Sequence, residues 1–505
     1  MKLRRLYLRD YRVLRDLEIQ FQPGFGGGEI APSYALDFLV GLNGSGKSTV
    51  IQAIAEIFRK LEASAPVPFI FELEYSIGAG GDERRVVVQN HSAGESAPDK
   101  PGELRVYVSG QEAKWSNDLL PSVIVAFTTG NEDEWLRVRE PAEENASTAS
   151  DMSAEQRAVR ELPGWGDRIK SPDAEAESGA SRFRLMRHNE LSLVTLCGLL
   201  EFLRQDHVGA EGLARVLRHS SIERVCGYSL RLRLNPGLAG PTVQEDFDRL
   251  QRFADRALRL GSDRLLVYDL TSDATTKARA LLEEFGSGFD LFKTLSKLQR
   301  AAVEAERSLQ EVNVFLERTP GIAEEGGEPE SSPLHLLEWL SDGEQSFLGR
   351  MCLFTLLRQP DALILLDEPE VHFNDYWKRQ IVSLLDGVLR GSQSHVLITT
   401  HSSIALSDVP REDIVILDRP GTYTVRSRSP KMATLGADPS DIMVHVFGAP
   451  HAAGQRAVSH ILERIEADSP ADQRRRQLER LRGQVGPGYW SYRIRRALMA
   501  LEQPS

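Results

Sequence analysis

Apolar and charged residues alternate from the first positions of the chain. Residues 3–21 read as two strands around a turn, Leu-Arg-Arg-Leu-Tyr-Leu and then Leu-Glu-Ile-Gln-Phe. Residues 23–28 form a loop, and residues 36–40 are a short apolar strand that runs into Gly41. Val50, Ile51, Ile54, Ile57, Phe58 and Leu61 then keep helical spacing. Residues 69–75, 84–88 and 104–108 predict an antiparallel meander with glycine-containing turns, and residues 123–127 another buried strand.

The pattern then changes. Residues 141–181 are polar and rich in Ala, Glu, Ser and Asp, which predicts a loose insertion. Residues 191–203 predict a strongly apolar helix. Residues 243–318 read as helical, with Leu291, Leu295, Leu298, Ala302, Ala305 and Leu309 near heptad spacing, as in a helical lid or short coiled-coil stub. After an acidic loop at 321–332 the strand pattern resumes from Leu334, with apolar strands at 363–366, 396–400 and 414–417. Helices with a basic stretch fill the C-terminal region. The expected division is an N-terminal lobe over 1–130, a mostly helical insertion over 131–333, a C-terminal lobe over 334–430 and a helical region over 431–505. The expected fold class is α/β: a phosphate-loop nucleotide-binding head with an antiparallel β subdomain, a helical lid insertion and C-terminal helices.

Composition narrows the class. Hydrophobic residues at 41% and charged residues at 27% suit a globular chain, and 505 residues imply more than one domain. No apolar run approaches the roughly 20 residues of a membrane span, so no membrane partner is expected. The three cysteines are far apart and form no CxxC pair, which argues against a disulfide framework or a zinc hook and fits a reducing cytoplasm as the expected location. A net charge of −12 repels nucleic acid in bulk, so any DNA contact needs a local basic patch or a partner.

Four motifs carry chemistry. Gly41-Leu42-Asn43-Gly44-Ser45-Gly46-Lys47-Ser48-Thr49 lies between a strand and a helix. Backbone N–H groups there can cradle phosphates, Lys47 would reach the β- and γ-phosphates of ATP, and Ser48 would ligate Mg2+. Leu363-Ile364-Leu365-Leu366-Asp367-Glu368-Pro369 is a buried strand ending in two carboxylates. Asp367 would hold the Mg2+, and Glu368 would orient and deprotonate the attacking water. His401 follows an apolar strand and could sense the γ-phosphate, or could be structural. Ser341-Asp342-Gly343-Glu344 opens a helix; alone it also fits a simple capping box.

Together these motifs resemble the ABC-type ATPase superfamily, in its soluble SMC/RecF/OLD-like branch, over about residues 1–130 and 335–420. The resemblance implies a head-to-head dimer around two ATPs, or a higher oligomer. Each site would take Lys47, Asp367 and Glu368 from one chain and Ser341 and Gly343 from the other. It also places Arg12 where relatives carry a nucleotide-contacting arginine; a plain surface role is the other reading. Two departures stand out. No glutamine fits the usual coupling loop: Gln89 ends a strand, and residues 123–130 lack one. Glu370-Val371-His372-Phe373-Asn374-Asp375 resembles the form found in restriction-associated and anti-phage ATPases, where His372 either contacts a partner or sits in a capping turn.

The C-terminal Tyr489-Trp490-Ser491-Tyr492-Arg493-Ile494-Arg495-Arg496 combines aromatics with arginines and suits either a docking surface or a helix covering the head. His445, His451 and His460 offer no metal geometry, and no nuclease constellation is present. The resemblance therefore implies an ATPase, slow and regulatory, of Septu- or PARIS-type anti-phage systems. Its partners would be a separate nuclease effector and a DNA or phage-protein trigger. A RecF-like ATPase that clamps DNA directly is the alternative.

Overall fold

The computed structural model describes residues 1–21, 34–78, 82–91, 100–130, 132, 135, 181–204, 210–233, 241–299, 308–318, 334–357, 360–389, 392–419, 424–467 and 469–502. The expected loops at 23–28 and 321–332, and nearly all of 141–181, lie outside them. The chain divides into two compact units, Met1–Ala437 and Asp438–Ser505.

The first unit begins β1 (Lys2–Tyr11), β2 (Leu14–Gln20), β3 (Ala35–Val40), α1 (Lys47–Glu62), β4 (Ile70–Ile77), β5 (Arg84–Gln89), β6 (Arg105–Val108), β7 (Gln111–Ala113), β8 (Ile124–Thr128) and β9 (Phe183–Met186). It continues α2 (Leu191–Leu203), α3 (Ala210–His219), β10 (Ile222–Arg233), α4 (Pro241–Arg252), β11 (Arg256–Leu260), β12 (Asp263–Asp269), α5 (Ala274–Phe285), α6 (Gly288–Gln299), β13 (Leu309–Arg318) and β14 (Leu334–Leu336). It ends α7 (Asp342–Leu356), β15 (Leu363–Asp367), α8 (Asp375–Leu389), β16 (His395–Thr400), α9 (Ser403–Leu406), β17 (Ile414–Asp418) and β18 (Arg426–Arg428).

These strands make three sheets. The central one has the order β18-β17-β3-β16-β15-β8-β9 and is parallel except at its β18 edge. Its inner strands β8, β15 and β16 are buried along their whole length, as expected where a parallel sheet is covered on both faces. The second sheet is an antiparallel meander, β2-β1-β4-β5-β6-β7. Helix α1 lies in the core shared by these two sheets: Val50, Ile51, Ile54 and Phe58 join one cluster with Leu6 and Leu8 of β1, Leu73 of β4 and Leu365 of β15. The strand–glycine loop–helix unit is thus clamped between two sheets.

The third sheet, antiparallel β11-β12-β10-β13-β14, corrects the helical reading of residues 243–318. The heptad residues Leu291, Leu295 and Leu298 do share a buried face of α6, but that face packs on α2, α5 and β13 rather than on a coiled-coil partner. Leu309 opens a strand, and positions 302 and 305 lie outside the described residues. The insertion is therefore a mixed α/β layer.

Helix α2 fixes that insertion to α7. An added Cβ at Gly198 would sit 2.4 Å from Cys352 Cβ, and one at Gly349 would sit 2.4 Å from Leu191 Cδ1. Only glycines let two backbones cross this closely, and the crossing makes α2 and α7 one rigid pair. In the second unit α10 (Pro439–His445) is N-capped by Asp438. It is followed by α11 (Gln455–Ile465), α12 (Ala471–Arg482) and α13 (Tyr489–Glu502), which close on Ile461, Ile465, Leu478, Leu481 and Ile494.

Gly198→Ala is expected to lower unfolding stability by about 1–3 kcal/mol through overpacking, read by urea denaturation. An unchanged midpoint would show that the crossing relaxes freely.

Candidate nucleotide site

The phosphate loop leaves the end of β3, beside β16 and β17. Gly41, Gly44 and Gly46 have φ of 154°, 77° and 94°, a region that side chains strain to enter. A Cβ at Gly41 would lie 2.4 Å from the Leu417 carbonyl oxygen, so the loop also needs glycine for space. Leu42, Asn43 and Gly44 form an exposed turn, and Ser45 tucks under it with its amide donating to the Leu42 carbonyl at 3.1 Å. Helix α1 starts at Lys47, followed by Ser48 and Thr49 in its first turn. Lys47 is buried, and its Nζ donates to the Gly41 carbonyl at 3.1 Å. Burial lowers its pKa, opposed by the nearby carboxylates of Glu368, Asp367 and Glu370.

Asp367 closes the other half. In the parallel register Thr128 of β8 and Thr399 of β16 both stand opposite Asp367, the last residue of β15, so the three strands converge on one carboxylate. Ser48 Oγ donates to Asp367 Oδ1 at 2.9 Å, Thr399 Oγ1 to Oδ1 at 2.6 Å and Thr128 Oγ1 to Oδ2 at 3.2 Å. Burial pushes the Asp367 pKa up, and the three hydroxyls oppose that shift. Glu368 stands at φ 51° and turns its carboxylate toward His401, whose Nε2 lies 3.1 Å from Oε1. That hydrogen bond, partly offset by burial, holds the Glu368 pKa below the ordinary glutamate range. Glu368 is therefore an anion at neutral pH, as a base acting on water must be.

A cavity of about 280 Å³ opens between these halves, lined by Ser48, Gln52, Thr128, Thr129, Gly130, Trp135, Asp367, Glu368 and Val371. Gln52 was not singled out from the sequence. It lies one helical turn beyond Ser48, so both face the cavity. Arg12 Nη1 donates to its Oε1. Arg12 sits in the two-residue turn of the β1–β2 hairpin at φ 53°, and that turn is seated on the loop: a Cβ at Gly46 would touch Leu14 and Val13. Gln89 does not line the cavity; its side chain donates to the His91 carbonyl in the meander. Arg419, just beyond β17, reaches the Gly44 carbonyl at 3.4 Å and also went unread in the sequence.

The signature residues stand apart from this lining. Ser341 N-caps α7, and its side chain and backbone N–H exchange hydrogen bonds with Glu344 in a full capping box. Glu344 also accepts from Arg318 at 2.9 Å. Ser341 and Asp342 are exposed. A Cβ at Gly343 would meet the His372 carbonyl oxygen at 2.8 Å, so the signature turn touches the turn that follows Glu368. His372 is exposed at φ 74°; the helix after it is capped by Asn374, which accepts from the Trp377 amide at 2.8 Å. Arg350 of α7, buried and not anticipated, joins the same turn. Its Nη1 donates to the Val371 carbonyl at 3.1 Å, and its guanidinium lies between the rings of Phe127 (5.0 Å) and Phe373 (4.8 Å). Burial pushes its pKa down to about 9, with Glu370 opposing, so it stays charged at neutral pH.

The donors suit Mg2+. Among the described residues no three His, Cys, Asp or Glu side chains converge as a metal cage. Mg2+ instead binds through one or two oxygen ligands together with substrate phosphates. Ser48 and Asp367 would hold it, and when bound it supplies charge neutralisation at the phosphates.

A family model described as "AAA ATPase domain" matches residues 1–118, and one described as "AAA domain, putative AbiEii toxin, Type IV TA system" matches residues 241–408. The chain is similar to the DNA replication and repair protein RecF of Edwardsiella ictaluri (strain 93-146), with 31% identity over 120 residues. That stretch is 22% of this chain and only 28% of the RecF. Among solved structures it is similar to an Smc head bound to the C-terminal winged-helix domain of ScpA (13% identity, 85% of this chain and 98% of that one, TM-score 0.36). It is also similar to a Pyrococcus furiosus Smc head with an extended coiled coil bound to the C-terminal domain of ScpA (16%, 85% and 96%, TM-score 0.32) and to the Thermotoga maritima SMC head (14%, 86% and 100%, TM-score 0.32). The phosphate loop falls in the first of the two matched segments and the distant carboxylates in the second, and together they form a site suited to binding the phosphates of ATP. No helix among the described residues is long and apolar enough to cross a membrane.

Loss of the His401 hydrogen bond should raise the Glu368 pKa. In His401→Ala the acidic limb of the kcat–pH profile is expected to move to higher pH, because the base must be ionised to act. His401→Gln, which keeps a donor, should move it less. An acidic limb unmoved in both would show that Glu368 is not the titrating base.

Proposed function

We propose that this ATPase is a cytoplasmic switch whose heads dimerise around ATP and which controls a separate effector. One observation carries the reading. Lys47, Ser48, Asp367, Glu368 and His401 gather within one chain, whereas Ser341 and Asp342 stand exposed at the start of α7 and do not line the cavity. A helix N-terminus with an exposed serine is an anion-binding end, and here the anion would come from a second chain. Ser341 and Gly343 of one copy then complete the phosphate site of the other, while Asn43, Gly44, Ser45, Gly46, Thr49 and Arg12 surround the nucleotide from its own side. His372, beside Gly343, would lie at the same interface.

Turnover gated by such an interface is slow, and ATP occupancy then reports a conformational state. The toxin-system wording of the second family model supports placing this switch in bacterial anti-phage defence, with a separate nuclease as effector and DNA or a phage protein as trigger. The limited similarity to RecF favours a second reading, a repair ATPase that clamps DNA directly.

The test uses the Glu368→Gln protein, which should bind ATP and hydrolyse it poorly. With Mg-ATP its mass by light scattering is expected to double, and Ser341→Arg in the same background should return it to the monomer. A monomer with ATP in the single variant would end the dimer reading. Adding the protein encoded beside it separates the two functional readings: a stable complex without DNA supports the effector switch. An ATP-dependent dimer that ignores this protein and shifts onto DNA supports the clamp.

A further inference from the structure

The second unit reverses the charge character of the chain. Against a net charge of −12 overall, residues 471–496 hold eight arginines and two carboxylates. Some of these arginines are committed to the fold. Arg474 donates to the Ile465 carbonyl and ties α12 to the end of α11. Arg475 pairs with Glu479, Arg493 donates to the Tyr489 hydroxyl at 3.1 Å and Arg495 to Ser491 Oγ at 3.5 Å.

Four are left. Arg476, Arg480, Arg482 and Arg496 are exposed and have no ion pair or hydrogen bond among the described residues. Leu478 and Leu481 are the buried residues of α12, and at about 100° per residue Arg476 and Arg480 fall on the opposite side, one turn apart. On α13, Ile494 and Ser491 are buried, while Tyr489 (60% exposed), Tyr492 (58%), Arg496 and Met499 (63%) fall on the outward side. The hairpin therefore buries one narrow apolar seam and presents a basic ridge on α12 and an arginine–tyrosine ridge on α13.

We infer that this C-terminal helical hairpin binds the phosphate backbone of nucleic acid. Guanidinium forks without partners match phosphate oxygens, and exposed tyrosines offer faces on which unpaired bases stack. The acidic remainder of the surface repels a polyanion, so binding is confined to this unit. Neither ATP nor dimerisation is required, so the inference stands apart from the switch reading.

The test is fluorescence anisotropy on the full-length protein without nucleotide, titrated onto a duplex of about 30 base pairs and onto one of its strands at about 50 to 200 mM salt. Arg476→Glu/Arg480→Glu/Arg496→Glu is expected to lose at least about tenfold in affinity and to flatten the salt slope by about three. The Gln triple variant, gentler on the fold, should show the same direction with an unchanged melting curve. Arg256→Glu/Arg259→Glu, which changes exposed arginines of β11 in the first unit, should leave binding intact. Preference for the single strand that falls in Tyr489→Ala/Tyr492→Ala supports stacking on the same ridge. Unchanged DNA binding in both triple variants, or an equal loss in the β11 control, would overturn the proposal. So would poly-glutamate competing for the ridge better than duplex does, since that marks an acidic protein as its ligand. Lys47→Ala should bind DNA like the parent protein, which separates this outcome from any failure of the ATPase reading.

Discussion

The Asp367 carboxylate is buried, and hydroxyls from three separate segments donate to it: Ser48 after the phosphate loop, Thr128 at the end of β8 and Thr399 at the end of β16. A buried carboxylate is costly unless such donors surround it. Those donors meet only if β8, β15 and β16 lie in the observed parallel register, and if α1 is held against them by the meander sheet. Some 320 residues of chain separate Ser48 from Asp367, yet the two halves of the site are 2.9 Å apart at this contact. The sheet order places the loop-bearing strand beside the His401 strand and that beside the Asp367 strand, so the three functional ends line up at one edge.

From this anchor a short turn leads to the proposed dimer surface. Glu368 and His372 both hold left-handed backbone, which a non-glycine residue keeps only when its surroundings fix it. Here the surroundings are specific. The Glu368 amide donates to Thr399 Oγ1 at 3.0 Å, Glu370 accepts from Thr400 and from the His401 amide, and Arg350 holds the Val371 carbonyl. Gly343 packs on the His372 backbone, and the α2–α7 crossing ties the signature helix to the mixed α/β insertion. A displacement of the base after hydrolysis would thus be felt at the signature turn and in the insertion through packed groups rather than loose loops.

Much of this was legible in the sequence because the chemistry constrains it locally. The phosphate loop, the apolar strand ending in Asp367 and Glu368, and the helix at 191–203 each follow from composition at fixed spacing. Gln52 could have been found by stepping one helical turn past Ser48, and Arg350 by asking why an arginine interrupts the apolar run of α7. The third sheet was not legible. In β12 only Leu266 and Tyr268 are deeply buried apolar residues, and β11 is exposed at every position, so neither shows a clean two-residue alternation. The real heptad of α6 then extended the helical reading across both flanks. The capping box at Ser341 was visible as one of two readings, and the structure makes it while leaving the serine exposed. A capping serine and a phosphate-contacting serine are compatible, because the same helix end supplies both.

The central claim is that one site is built from two chains. It is tested most directly by mixing two inactive proteins, Lys47→Ala and Ser341→Arg, and measuring ATP hydrolysis. Neither protein can build an intact site by itself, but a mixed dimer has one of its two, with Lys47 from one copy and Ser341 from the other. Because Ser341→Arg does not pair with itself, mixed pairs dominate and equal amounts predict recovery of up to about half of the parent rate for a two-fold symmetric dimer. No recovery, in a mixture shown by mass to contain mixed dimers, would contradict the account, as would a Ser341→Arg protein that hydrolyses ATP normally by itself.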